Sequence, residues 1–169
     1  MGLVYRPRLV KRDDCYVLCV RTWPTSGRER SIALMRRAKL EMDRGVLRLA
    51  ASEISTVLRA VVGQACGGIV LPPRGASKTE KHFGSELAAL VAEEYAAPIA
   101  GKAHYLKGCR LERFHGEKVA SEVDWRSACS FPTVVDDVYT TGQTMAGIRS
   151  AIGGPCLLVA WIGPGGVGG

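Results

Sequence analysis

The chain has 169 residues, 47% of them hydrophobic and 23% charged, with a formal net charge of +7. That length and balance fit one globular domain with a real core. No apolar run approaches the roughly 18 residues that a bilayer-spanning helix requires, so no transmembrane helix is expected. The positive charge suits anionic ligands such as polyphosphates, and would equally suit nucleic acid.

Residues 1–12 are basic and read as irregular, with no apolar stretch after them of the kind a signal peptide carries. The run Cys15-Tyr-Val-Leu-Cys-Val20 reads as a strand near a sheet edge. Its two cysteines invite a zinc reading. No second close Cys or His pair follows, so buried thiols fit better. The six cysteines are scattered, which points away from a secreted disulfide scaffold and towards a reducing cytoplasm. After a turn at Trp23–Gly27, Ser26-Gly-Arg-Glu29 has the form of a capping box. It predicts a helix over Gly27–Asp43 that stops at Gly45. That helix is crowded with Arg28, Arg30, Arg36, Arg37 and Lys39. A solvated basic face is the common reason for such crowding; the sharper one has Arg36 or Lys39 reaching a polyphosphate.

A second helix is predicted over Val46–Val62, where Leu47, Ala50, Ile54, Val57, Leu58 and Val61 recur at helical spacing. Gly68–Leu71 reads as a short buried strand halted by Pro72-Pro73. The cationic stretch Arg74-Gly-Ala-Ser-Lys78 follows, and then a helix capped by Thr79 with Glu80 that runs to Pro98. Between Gly101 and Asp124 only His104–Leu106 suggests a strand. Lys107–Lys118 reads as a charged loop or marginal helix, and His115 as a surface residue. The chain closes with a strand over Cys156–Ile162 and a glycine-rich tail too flexible to pack.

The most informative stretch is Phe131–Met145. Phe131–Val135 is a β-branched run suited to a strand buried in a parallel sheet. Asp136 and Asp137 end it, Thr140-Thr-Gly-Gln-Thr144 forms a hydroxyl-rich loop, and Met145–Ile152 reads as a helix with Gly153 as its stop. A strand, polar loop and helix in this order place free N–H groups and a positive dipole end at one point, which suits a phosphate. Two carboxylates beside that point would repel a bare anion. They suit a ligand with hydroxyls a few ångströms from its phosphate, as in ribose 5-phosphate. Loops at the carboxyl ends of parallel strands share one crevice, which would bring Arg74 and Lys78 towards this loop.

The segment Val134-Val-Asp-Asp-Val-Tyr-Thr-Thr-Gly-Gln-Thr144 resembles the PRPP (5-phosphoribosyl-1-diphosphate) motif of the type I phosphoribosyltransferases. The resemblance implies an α/β fold: a parallel sheet with helices on both faces and a smaller hood over the acceptor. Residues 1–66 would hold the N-terminal strand, helices and hood, 67–162 the PRPP-binding core, and 163–169 the tail. It implies that Asp136 and Asp137 hold the ribose hydroxyls. Val138, Tyr139, Thr140, Thr141, Gly142, Gln143 and Thr144 would wrap the 5′-phosphate. Pro73, Arg74, Gly75 and Lys78, with Arg36 and Lys39, would meet the pyrophosphate. Mg²⁺ would touch the two aspartates mainly through water or substrate. The charged Lys107–Lys118 region would be the family's lid.

Within that family the layout is similar to the ComF-like branch, by its basic N-terminal helix, Val70-Leu-Pro-Pro73 and Glu112-Arg113. The branch's usual cysteine-rich zinc element has no counterpart here, and no acceptor signature is present. The implied activity is transfer of phosphoribosyl from PRPP to a nitrogenous acceptor, and a homodimer is compatible with it. The alternative is a regulatory PRPP-fold protein associated with nucleic acid. Against that, the cations are spread along the chain with little aromatic interleaving.

Overall fold

The computed structural model describes residues 2–12, 15–63, 65–74, 81–106 and 121–165. Its frame is a 7-stranded sheet in the order β1-β2-β7-β6-β3-β4-β5. The strands are β1 (Val4–Arg12), β2 (Cys15–Thr22), β3 (Gly68–Leu71), β4 (Ile99–Tyr105), β5 (Ser121–Trp125), β6 (Pro132–Val138) and β7 (Leu157–Gly163). The five central strands pair in parallel, and only the outermost, β1 and β5, are antiparallel to their neighbours. Helices α1 (Arg28–Glu41), α2 (Arg44–Val62) and α3 (Phe83–Tyr95) cover one face, and α4 (Gln143–Ile152) the other. This is the expected α/β class with helices on both faces.

Side-chain alternation along the central strands builds both layers. Val20, Ile69, Val135, Val159 and Trp161 meet α2 and α3 through Ile54, Leu58, Leu87 and Val91. Val17, Val70, Val134, Leu158 and Ala160 meet α4 through Met145 and Ile148. The near-continuous apolar runs of β6 and β7 follow from burial on both faces.

Several local expectations are corrected. Residues 4–12 are not irregular but form the edge strand β1, antiparallel to β2, with a register irregularity between Tyr5 and Arg8. Pro7 and that irregularity mask the period-2 pattern in the sequence. The capping box does not form: Gly27 sits at the N-cap with φ of 69° and no side-chain cap bond. Gly45 is not the stop of α1, since Met42 ends it in the left-handed region (φ 51°). Asp43 then caps α2 by accepting from the N–H groups of Gly45 and Val46.

The cap of α3 is His82, whose side chain accepts from the Ser85 N–H; Thr79 and Glu80 lie outside the described residues. The strand expected at His104–Leu106 is the end of the longer β4, and β5 is a strand where none was read. Lys107–Lys118 lies outside the described residues. The start of the tail is packed: Arg8 donates to the Pro164 carbonyl, and Gly165 leaves only 3.2 Å between a Cβ and the Trp23 carbonyl.

Candidate functional site

Strand β6 runs further than expected and includes both aspartates. Val134 and Val135, fully buried, hold it between β3 and β7. The pairing of β3 with β6 ends at Val134, while β7 continues beside Asp136 and Val138. The acid pair therefore stands at the carboxyl end of the sheet where one flanking strand has stopped. Asp137 is buried and ion-paired: its Oδ1 lies 2.8 Å from Lys39 Nζ, which α1 brings in from 98 residues away. The Asp137 N–H in turn donates to Asp136 Oδ1 at 2.8 Å.

Asp136 lies against the first turn of α3, where a Cβ on Gly84 would come within 2.9 Å of its Oδ1. The glycine makes room for the carboxylate. Burial above all, and then the Asp137 charge, pushes the Asp136 carboxyl up to about 7; the Asp137 amide and Lys39 pull the other way. His82 stands beside this group. Burial lowers its pKa, the Asp137 charge opposes that, and Lys39 and Arg74 add to the lowering. Two acids, a lysine and an imidazole thus converge with an arginine close enough to be felt.

The loop after β6 is anchored by Tyr139, which is buried and whose N–H donates to the Ile162 carbonyl at 2.8 Å. Gly142 is the N-cap of α4 with φ of 81°, and a Cβ there would meet the Tyr139 hydroxyl at 2.7 Å. This position requires glycine on both counts. Among the described residues no side-chain bond caps α4 at Gly142, so the amides of its first turn are donors suited to a further partner. Thr140 and Thr141 are exposed at the loop's tip. Thr144 Oγ1 lies 3.3 Å from the Tyr105 hydroxyl at the end of β4. Burial raises the Tyr105 pKa, the Thr144 bond opposes this, and the Asp136 charge adds to it.

The structure therefore brings together Asp136, Asp137, the Val138–Thr144 loop and Lys39. Lys39, expected to meet pyrophosphate, is paired with Asp137. Pro73 is buried and Arg74 exposed just beyond β3, on the same side of the sheet. Gly75 and Lys78 lie outside the described residues. Arg36 is exposed on α1. The sequence reading missed His82, Gly84 and Tyr105. Of these, only Gly84 carried a signal, a glycine inside a helical pattern where something approaches closely.

Cys15 and Cys19 are buried free thiols, and burial pushes Cys19 up to about 12. Among the described residues no group of three or more His, Cys, Asp or Glu could hold a metal. Two surface depressions lie away from the acid pair. One, of about 460 Å³, is bounded by Trp125–Cys129; the other, of about 340 Å³, by Tyr5, Ser52, Glu53 and Thr56.

No protein-family model and no curated protein matches the sequence. Among solved structures, the chain is similar to orotate phosphoribosyltransferase from Aeropyrum pernix, at 22% identity and a TM-score of 0.41. The likeness covers 66% of this chain and 56% of that protein, so the chain spans little more than half of its length.

Proposed function

We propose that this chain binds PRPP and transfers its phosphoribosyl group to a nitrogenous acceptor, releasing pyrophosphate. One observation carries the reading. A half-buried Asp136 and a buried Asp137 stand near the end of β6, and a few residues later the start of α4 opens behind a glycine-pinned loop. Amide donors and the helix dipole suit the 5′-phosphate, and the carboxylates suit hydroxyls of the ring attached to it.

Loss of pyrophosphate from ribose C1 builds positive charge on the ring. Carboxylates fixed beside the ring stabilise that charge as it develops, which is where stabilisation accelerates the reaction. Lys39 orients Asp137 and lowers the cost of keeping two acids adjacent. Arg74 stands at the end of β3, on the side from which the diphosphate would approach. Asp136 and Asp137 would meet, mainly through water or substrate, a Mg²⁺ brought by the diphosphate. Such an ion would neutralise the leaving group.

Calorimetric titration of PRPP with and without Mg²⁺, followed by a pyrophosphate-release screen across nucleobases, tests the reading. The Asp136→Asn, Asp137→Asn double variant should keep its fold and lose turnover. An undiminished rate in that variant refutes the assignment.

Membership of the ComF-like branch is part of the proposal, on the strength of Val70-Leu-Pro-Pro73 and the basic first helix. A second reading, a nucleic-acid-associated protein, is favoured by the exposed Arg28, Arg30, Arg36, Arg44 and Arg48 on α1 and α2. Salt-dependent retention of DNA without PRPP, coupled with no pyrophosphate release, would select it. Cytoplasmic residence rests on the free thiols of the described cysteines. Among the described residues no helix is long and apolar enough to cross a membrane.

A further inference from the structure

Cys15 opens β2 and Cys156 immediately precedes β7, and these two strands run side by side in parallel. Their register pairs Leu18 with Val159 and Cys19 with Ala160. Carried three residues further back, past the start of β7, the same register would set Cys15 opposite Cys156, and Cys15 is close enough to act electrostatically on Cys156. Both thiols belong to the apolar layer between the sheet and α4: Cys15 is buried in it, and Cys156 packs half-buried against it. Neighbouring strands stand about 4.8 Å apart, within the roughly 4.4–6.8 Å Cα separation of disulfides.

A guanidinium completes the cluster. Arg149, in the last turn of α4, places Nη1 3.8 Å from Cys15 Sγ. Burial pushes the Cys156 thiol up, Arg149 opposes this, and Cys15 adds to the rise. Cys19 lies in the same layer, four residues further along β2 and against Gly163; the remaining described cysteines are placed elsewhere. Cys66 donates to Thr133 Oγ1 at 3.2 Å, and Cys129 packs over Gly67. The cluster lies at the amino ends of the parallel strands, opposite the acid pair, and the proposed reaction makes no use of it.

We infer that Cys15 and Cys156 are a reversible redox pair, closing a cross-strand disulfide when they meet a small-molecule disulfide oxidant. Cys156, the more exposed, loses its proton to solvent, and its thiolate attacks one sulfur of the oxidant. A mixed disulfide forms and one thiolate leaves. Cys15, whose Sγ lies 3.8 Å from Arg149 Nη1, attacks Cys156 Sγ as its proton passes to solvent. The bond to the oxidant's fragment breaks and the second thiolate departs. Two protein thiols have then lost two electrons, and one disulfide has become two thiols. The product ties the β1–β2 hairpin to β7 across most of the chain, the long loop closure that constrains an unfolded chain most.

The test uses the full chain, incubated with oxidised glutathione or with dithiothreitol, blocked with N-ethylmaleimide, digested and mapped by mass spectrometry. Oxidant should yield a Cys15–Cys156 linked peptide that dithiothreitol removes, in a monomer whose Tm rises by about 5 °C or more. Cys156→Ser should abolish both the link and the rise. Cys15→Ser puts a hydroxyl in a buried layer and risks unfolding, so the wild-type map and the half-buried Cys156 variant carry the decision. Separate blocking or glutathionylation of the two thiols after oxidation overturns the inference. So does a link to another cysteine or between two chains.

Discussion

Asp136 is costly to keep charged where it stands, and that cost is measurable. Its carboxyl is pushed up to about 7, so the folded chain holds this proton more tightly than the unfolded chain, whose value is near 3.8. The stability that follows is full below about pH 4 and lost as the pH rises through about 7. Asp136→Asn should therefore match wild type near pH 4 and melt several degrees higher at about pH 8, checked by calorimetry across that range. If that variant also loses the proposed turnover, Asp136 is a group placed for function rather than packing. The loop hydroxyls make the opposite case. Thr141 is exposed and its hydroxyl is one donor among several backbone amides, so Thr141→Ala should weaken PRPP binding by about 1 kcal/mol, roughly fivefold. Titration of the variant against wild type reads this directly.

Among the elements, α3 does more than cover the sheet. Its first turn carries Gly84, which leaves the Asp136 carboxylate room, and His82 caps that turn. Gly84→Ala should favour the helix by propensity yet set a methyl 2.9 Å from Asp136 Oδ1, so the short side chain must move. The expected outcome is a Tm within a few degrees of wild type and a PRPP affinity about tenfold weaker. Equal affinity would mean that the carboxylate's position beside α3 is immaterial. Helix α1 contributes in a similar way. Its basic exposed side looked like solvated charge, and most of it is, with Arg37 paired to Glu41 at i,i+4. Lys39 differs because Met35 and Ala38, neighbouring it on the helix, are buried, and this turns its side chain inward to Asp137.

At the scale of the whole molecule, the N-terminal hairpin is built into the main sheet. Strand β2 pairs with β7, and Arg21 on β2 bonds the Glu53 carboxylate of α2, which also accepts from the Trp161 indole at 2.8 Å. A Cβ on Gly163 would meet Cys19 Sγ at 2.5 Å and Cys19 Cβ at 2.7 Å. Gly163→Ala should destabilise the protein by about 1–3 kcal/mol, read as a lower urea midpoint, because a packed core has no room to accept the methyl. The N-terminal segment and the residues after β7 also meet, through Arg8 with Pro164 and Trp23 with Gly165. That is the neighbourhood in which an acceptor hood was expected.

The amino-acid sequence by itself determined the α/β class, the parallel core strands apart from most of β4, the position of α2 and the strand–acid–loop–helix unit of residues 131–152. Each of these rests on neighbours along the chain: apolar periodicity, β-branched runs, and the glycines that stop helices. Edge strands β1 and β5 escaped it because a half-solvated strand broken by proline or charge carries little period. Only the tertiary structure decided which groups face the two aspartates. Lys39 reaches Asp137 across 98 residues and Tyr105 reaches Thr144 across 39. Such pairings depend on how the strands order themselves in the sheet, and local pattern holds no record of that order.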